Sequence, residues 1–168
     1  MSTANIKLLV LDVDGVLTDG TFVPSAEGDW KAFHVHDGLG IRLLQEANVE
    51  VALLSGRRSK IVEARAAELG IRYVLWSKTD KLGPLRGLVT QLGVPAADTA
   101  YMGDDLHDLR PLFWVGFSAA PADARPEIRE AVDWVASAPG GHGAVRELCE
   151  LLLQDKGLWE EARRRFTE

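Results

Sequence analysis

The amino-acid sequence predicts an α/β fold built on a doubly wound, mainly parallel sheet. Short runs of strand-forming apolar residues recur along the chain, amphipathic stretches separate them, and most runs end in a turn-forming or acidic residue. Strands that alternate with helices require right-handed crossovers, so helices should cover both faces of the sheet. Ligands of such folds bind beyond the C-terminal strand edges.

The first run, Leu8 to Leu11, leads into Asp12-Val13-Asp14-Gly15-Val16-Leu17-Thr18. Thr21 to Pro24 and Trp30 to Val35 flank the turn-like Ser25-Ala26-Glu27-Gly28-Asp29, which reads as a protruding hairpin within about residues 18–36. Ile41-Arg42-Leu43-Leu44 begins an amphipathic helix that ends near Asn48. Val51 to Leu54 is a second strand, Ile61 to Leu69 a helix stopped at Gly70, and Arg72 to Leu75 a third strand. Leu82 to Leu92 is helical. Thr99 to Met102, Trp114 to Phe117 and Asp133 to Val135 supply further strands, and Ala144 to Leu153 a last long helix. The charged tail, residues 154–168, reads as a solvated helical extension of a core spanning about residues 6–153.

Composition bounds what such a fold can do. With 168 residues and 46% hydrophobic content, the chain can bury one core, and nothing in it resembles a linker or a repeat, so residues 1–168 read as one domain. No apolar segment is long enough to span a bilayer, and Met1 to Lys7 lacks a signal peptide's apolar core. A soluble, cytoplasmic protein is expected. Cys149 is the lone cysteine and reads as a small apolar side chain on a helix. A formal net charge of −6 argues against a nucleic-acid partner.

Chemistry concentrates at the strand ends. Asp12 and Asp14 alternate with apolar residues, so on an extended strand both carboxylates project to one face, which the bend at Gly15 opens. A divalent cation suits such a pair, and magnesium favours one or two carboxylates together with water and phosphate oxygens. A calcium loop is excluded because its twelfth position would be Val23, where a bidentate glutamate is required. The second strand runs into Ser55-Gly56-Arg57, which offers a hydroxyl and free backbone N–H groups to phosphate oxygens. Lys81 opens a helix, where its ammonium can neutralise a nucleophile and a phosphoryl group. Gly103-Asp104-Asp105-Leu106-His107-Asp108 repeats the theme of a strand running into acids. Read singly, each segment also has a bland explanation: a polar turn, a surface lysine, or Asp105 as a helix cap with Asp108 stabilising the first turn.

Their order resembles the haloacid dehalogenase superfamily of phosphatases, whose motifs match Asp12 to Thr18, Ser55, Lys81 and Gly103 to Asp108. Within it, the chain is similar to the 3-deoxy-D-manno-octulosonate 8-phosphate phosphatases through Asp19-Gly20, Phe33 to Gly38, Ser55 to Arg65 and Gly140 to Glu147. The resemblance implies that the first strand is central, with the second and fourth beside it. It implies a Mg2+-dependent phosphatase in lipopolysaccharide precursor synthesis, in which Asp12 is the nucleophile and Asp14 the acid and base. Ser55 and Lys81 hold the phosphoryl group, and Mg2+ is bound by Asp12, Asp14 through its carbonyl, and Asp104. Asp105 orients water or Lys81, with Asp108 in support. Ser55, Gly56, Arg57, Arg65 and Lys81 would contact a phosphorylated sugar acid.

The intervals from Asp14 to Ser55 and from Lys81 to Asp104 are too short for a cap domain, and the resembled family covers its sites by forming a homotetramer. Phe22, Trp30 and Phe33 would suit that contact or pack on their own domain. Related nononate 9-phosphate phosphatases carry an acid where Arg57 stands, which favours the octulosonate. His36 stands where those enzymes usually have arginine. Two other classes fit less well: a receiver domain takes its phosphate after the third strand, which here ends in Leu75-Trp76-Ser77, and an idle oligomerisation module would have lost motif residues that this chain keeps.

Overall fold

The computed structural model describes residues 3–25 and 28–167. Its main sheet has six parallel strands in the order β5-β4-β1-β6-β7-β8, with β1 Leu8–Leu11, β4 Glu50–Ser55, β5 Tyr73–Trp76, β6 Thr99–Met102, β7 Phe117–Ala120 and β8 Trp134–Val135. The central strand β1 pairs in parallel with β4 on one side and β6 on the other, Leu11 lying opposite Leu53 and Met102. That register brings Asp12 level with Gly103, with Ser55 one residue further along β4 at the same edge.

All four residues of β1 are buried, and their alternation divides the core. Leu9 and Leu11 face a layer with Ile41, Val62, Ala66, Leu148 and Leu152, supplied by α1 Val35–Glu46, α2 Lys60–Glu68 and α6 Ala144–Asp155. Leu8 and Val10 face Leu85, Leu88, Leu112 and Ile128 from α3 Leu82–Leu92, α4 Leu109–Trp114 and α5 Pro126–Arg129. Both faces are thus covered, as the alternating periods require. Between β1 and β4 lie only α1 and a hairpin of β2 Val23–Ser25 and β3 Gly28–Trp30, antiparallel with Val23 opposite Trp30. Of the predicted turn Ser25 to Asp29, Ser25, Gly28 and Asp29 belong to the two strands, and residues 26–27 lie outside the described residues.

Three expectations are corrected. The strand placed at Trp114 to Phe117 is the end of α4 followed by β7: Asp105 and Asp108 form a capping box that starts a 3-10 turn running into α4, and the strand begins only where Phe117 pairs with Ala100. Helix α1 starts at Val35, six residues before Ile41, after His34 in an extended conformation and with Asp37 in its first turn. The tail is docked rather than solvated. Helix α7, Trp159–Arg164, buries Ala162, packs Leu158 and Trp159 against the α1/α6 side of the core, and sets the Trp159 ring 5.5 Å from the Arg146 guanidinium.

Candidate active site

At the C-terminal edge of β1, β4 and β6 a cleft is lined by Asp12, Asp14, Gly20, Gly56, Arg57, Arg58, Lys78, Lys81, Asp104, Asp105, His107 and Asp108. Oxygens of Asp12, Asp104 and Asp108 lie within 4.8 Å of one another. Lys81 Nζ stands 2.9 Å from Asp12 Oδ1 and 2.7 Å from Asp108 Oδ1, with all three side chains buried. Asp108 is saturated. Its Oδ1 also accepts from the Tyr101 hydroxyl at 2.6 Å, and its Oδ2 accepts the backbone N–H groups of Asp104 at 3.2 Å and Asp105 at 3.4 Å. Asp105 itself caps the 3-10 turn, accepting from the Leu106 N–H at 2.7 Å, so in the structure Lys81 is held by Asp12 and Asp108 while Asp105 serves the backbone.

Two close backbone approaches allow this crowding. Gly15 has φ 90°, and a Cβ there would lie 2.0 Å from Asp104 Oδ2. Gly140 packs on the same loop from the other side, where a Cβ would lie 1.9 Å from the Gly15 carbonyl oxygen.

The electrostatics follow from one cation among three close acids. Burial, then the Asp108 charge, pushes the Asp12 carboxyl well above the usual range, and Lys81 only partly offsets them. Burial and Asp108 likewise push Asp104 up to about 7. Burial disfavours the Lys81 ammonium, but the Asp12 and Asp108 carboxylates outweigh it and hold its pKa above the ordinary lysine value. The donor set is therefore hard oxygen, short of positive charge, and fits a divalent cation of the magnesium type.

Other predicted residues fall unevenly. Asp14 lines the cleft, but its carboxylate stands outside the acid cluster and pairs with Lys31. Ser55 is buried, and its Oγ sits 3.3 Å from the Arg57 N–H in a local turn, so Gly56 and Arg57, rather than the Ser55 hydroxyl, line the cleft. The Arg57 guanidinium lies 3.9 Å from the Phe22 ring centroid. Arg65 is not brought to the cleft of its own chain: it pairs with Glu68 at 2.9 Å and lies over the Phe33 ring. His36 is exposed, edge-on to His34. Arg58 and His107, which lie inside the quoted motifs but were given no role there, also line the cleft, as does Lys78, which lies outside them. Lys31 stood within the run Trp30 to Val35, and nothing there singled it out. Cys149 is buried on α6, where burial raises its thiol pKa, in keeping with the apolar reading.

No family model matches the chain. It is 45% identical over 160 residues, 95% of this chain and 85% of the relative, to the 3-deoxy-D-manno-octulosonate 8-phosphate phosphatase of Salmonella typhi. The Haemophilus influenzae enzyme of the same name is 47% identical over 154 residues, 91% of this chain and 86% of the relative. The chain belongs to the 3-deoxy-D-manno-octulosonate 8-phosphate phosphatase family of the haloacid dehalogenase superfamily. A crystal structure of the Moraxella catarrhalis family member, in complex with magnesium ion, phosphate ion and KDO, superposes with a TM-score of 0.95 at 38% identity and covers 98% of this chain and 95% of that one. The parallel sheet described above is thus the family's fold. No helix among the described residues is long and apolar enough to cross a membrane.

The crowded acids make stability depend on both pH and cation. An Asp104 carboxyl raised to about 7 means that the ion-free fold holds a proton which the unfolded chain loses near pH 4. Its contribution is full below about pH 4 and is lost as pH rises through about 7. Magnesium should therefore raise Tm more at pH 8 than at pH 5. At pH 8 and about 100 times the Kd, the gain should be about 2.7 kcal/mol. Differential scanning fluorimetry with Mg2+ or EDTA at both pH values measures it, and an equal or larger gain at pH 5 would contradict the electrostatic account.

Proposed function

We propose that the chain is a Mg2+-dependent phosphatase that hydrolyses 3-deoxy-D-manno-octulosonate 8-phosphate to KDO and phosphate, as a cytoplasmic step in lipopolysaccharide precursor synthesis. The observation that carries the reading is the buried Asp12 carboxylate, 2.9 Å from the Lys81 ammonium and within 4.8 Å of Asp104, in a chain of this family. Asp12 attacks phosphorus in line, and the ester P–O bond breaks as Asp14 gives its proton to the departing sugar oxygen. The Asp14 carboxylate then takes a proton from the water that attacks the aspartyl phosphate, which frees Asp12 and phosphate and reprotonates Asp14. Lys81 faces the charge that develops on the transferring group, and Gly56, with the turn built on Ser55, offers backbone donors at the cleft wall. Asp12, Asp104 and the carbonyl of Asp14 would hold Mg2+, which when bound supplies positive charge beside the phosphoryl oxygens.

Arg57 is the candidate for recognising the sugar carboxylate, because it lines the cleft and a guanidinium matches a carboxylate. Arg65 would act only through contacts that its own chain does not make in this fold.

A cleft without a cap needs cover from elsewhere, and we infer a homotetramer built on the hairpin. Phe22, Val23 and Trp30 are 47%, 49% and 65% exposed there, whereas Phe33 packs against the core.

Phosphate release from a panel of sugar phosphates, with Mg2+ or EDTA, tests the main reading. The octulosonate ester should be the best substrate, and Asp12→Asn should lower turnover at least about 1000-fold without loss of fold by circular dichroism. Near wild-type turnover in that variant would overturn the scheme. Arg57→Ala should reduce kcat/KM at least about tenfold more on the octulosonate ester than on p-nitrophenyl phosphate, which lacks the carboxylate. Equal losses on both would remove Arg57 from recognition. Trp30→Glu should shift the mass measured by light scattering towards the monomer, and an unchanged mass would place the contact elsewhere.

A further inference from the structure

The hairpin reaches the cleft from both of its strands. Phe22, before β2, lies against the Arg57 guanidinium, and Lys31, directly after β3, sends its ammonium to Asp14 Oδ1. The Lys31 side chain is only 1% exposed, whereas the Asp14 side chain is 36% exposed and opens to the cleft. A lysine buried this completely is uncommon unless paired, and a carboxylate of the site is among its partners. Asp14 also differs from Asp12, Asp104 and Asp108 in that its carboxylate stands outside the acid cluster.

We propose that Lys31 is a positioning residue for the acid step, holding the Asp14 carboxyl by one oxygen, away from the cation site, so that the other meets the ester oxygen. The proposal rests on the phosphatase reading, in which Asp14 protonates the leaving group. Two needs pull against each other at this strand end. The cation site draws carboxylates inward, while the acid must face outward to the bond that breaks. A carboxyl on a short aspartate stem turns about only two side-chain bonds, and an ammonium held at one of its oxygens selects between those orientations. The proton that reaches the leaving oxygen comes from Asp14, and the negative charge left on Asp14 stays beside the ammonium. The side chain that aligns the acid thus arrives on the same hairpin whose exposed aromatic residues suit a subunit contact.

A loss confined to the acid step has a signature that general damage lacks. Aryl phosphates from p-nitrophenyl to phenyl phosphate have similar shape but increasingly basic leaving groups, and only the more basic ones need the proton. Because kcat/KM reports events up to the first irreversible step, it is blind to later hydrolysis of the aspartyl phosphate. In Lys31→Met, kcat/KM should fall about tenfold more on phenyl phosphate than on p-nitrophenyl phosphate, and further still on the octulosonate ester. Lys31→Arg should restore most of the difference. The ratio between two esters does not depend on the fraction of active enzyme, so partial misfolding leaves the comparison intact, and Lys31→Gln gives a second reading if the methionine variant is poorly expressed. Equal losses across the series, or no loss, would overturn the assignment while leaving the phosphatase reading standing. A wild-type protein inert towards every ester would instead remove the reading on which it rests.

Discussion

A single buried ammonium, Lys81, set among three close carboxylates is the interaction around which the cleft is organised. Lys81 bridges Asp12 on the central strand and Asp108 beyond β6, and so ties the two elements that carry the acids. The negative charges differ in how they are balanced. Asp108 takes four donors, from Lys81, Tyr101 and two backbone N–H groups, and needs nothing more. Asp12 shares Lys81, and among the described residues no ion pair is made by Asp104, so the uncompensated charge collects on the pair that opens to the cleft. The fold thus holds part of its electrostatic strain where a cation and a phosphoryl group can relieve it.

Backbone packing keeps that arrangement from relaxing. Asp104 can approach only because Gly15 lacks a side chain, and Gly140 presses on the same loop from behind. The Gly141 N–H donates to the Val16 carbonyl at 2.9 Å, and just beyond it α6 begins, where the Asp37 carboxylate of α1 accepts the Arg146 N–H at 2.8 Å. Asp37 is almost wholly buried, and burial raises its carboxyl pKa even though one oxygen caps α6. A chain of contacts therefore runs from the α1/α6 pair, through the glycine loop, to the acids. Loss of packing at the helices would be felt as displaced carboxylates.

The parts of this design that were legible in the sequence are those with a local signature. Alternating apolar runs located β1, β4, β6 and the helices α2, α3 and α6, because period and burial agree there. The resemblance supplied the strand order, which periodicity cannot encode, since any arrangement of parallel strands shows the same alternation. Acids at strand ends were visible for the same reason that they are costly: polar residues interrupt apolar runs. Trp114 to Phe117 misled because three apolar residues around Gly116 fit a strand as well as a helix end, and what decided it was a capping box several residues earlier. Lys31, Arg58, Lys78 and His107 were not assigned to the site because nothing local distinguishes a basic residue that turns into a cleft from one that turns to solvent. Only the fold decides which way the hairpin leans.

The size of the hairpin limits what it can do. With three residues in each strand and no helix of its own, it cannot bury a cleft or exclude water from it. It can deliver single side chains to chosen points, and it does so twice, at Arg57 and at Asp14. An isolated two-stranded ribbon is marginal in water, and this one carries exposed aromatic residues on its outer surface. Contacts that steady the ribbon would also steady Lys31 and Phe22, so in a capless enzyme of this kind the demand for cover and the demand for rigid alignment fall on the same few residues.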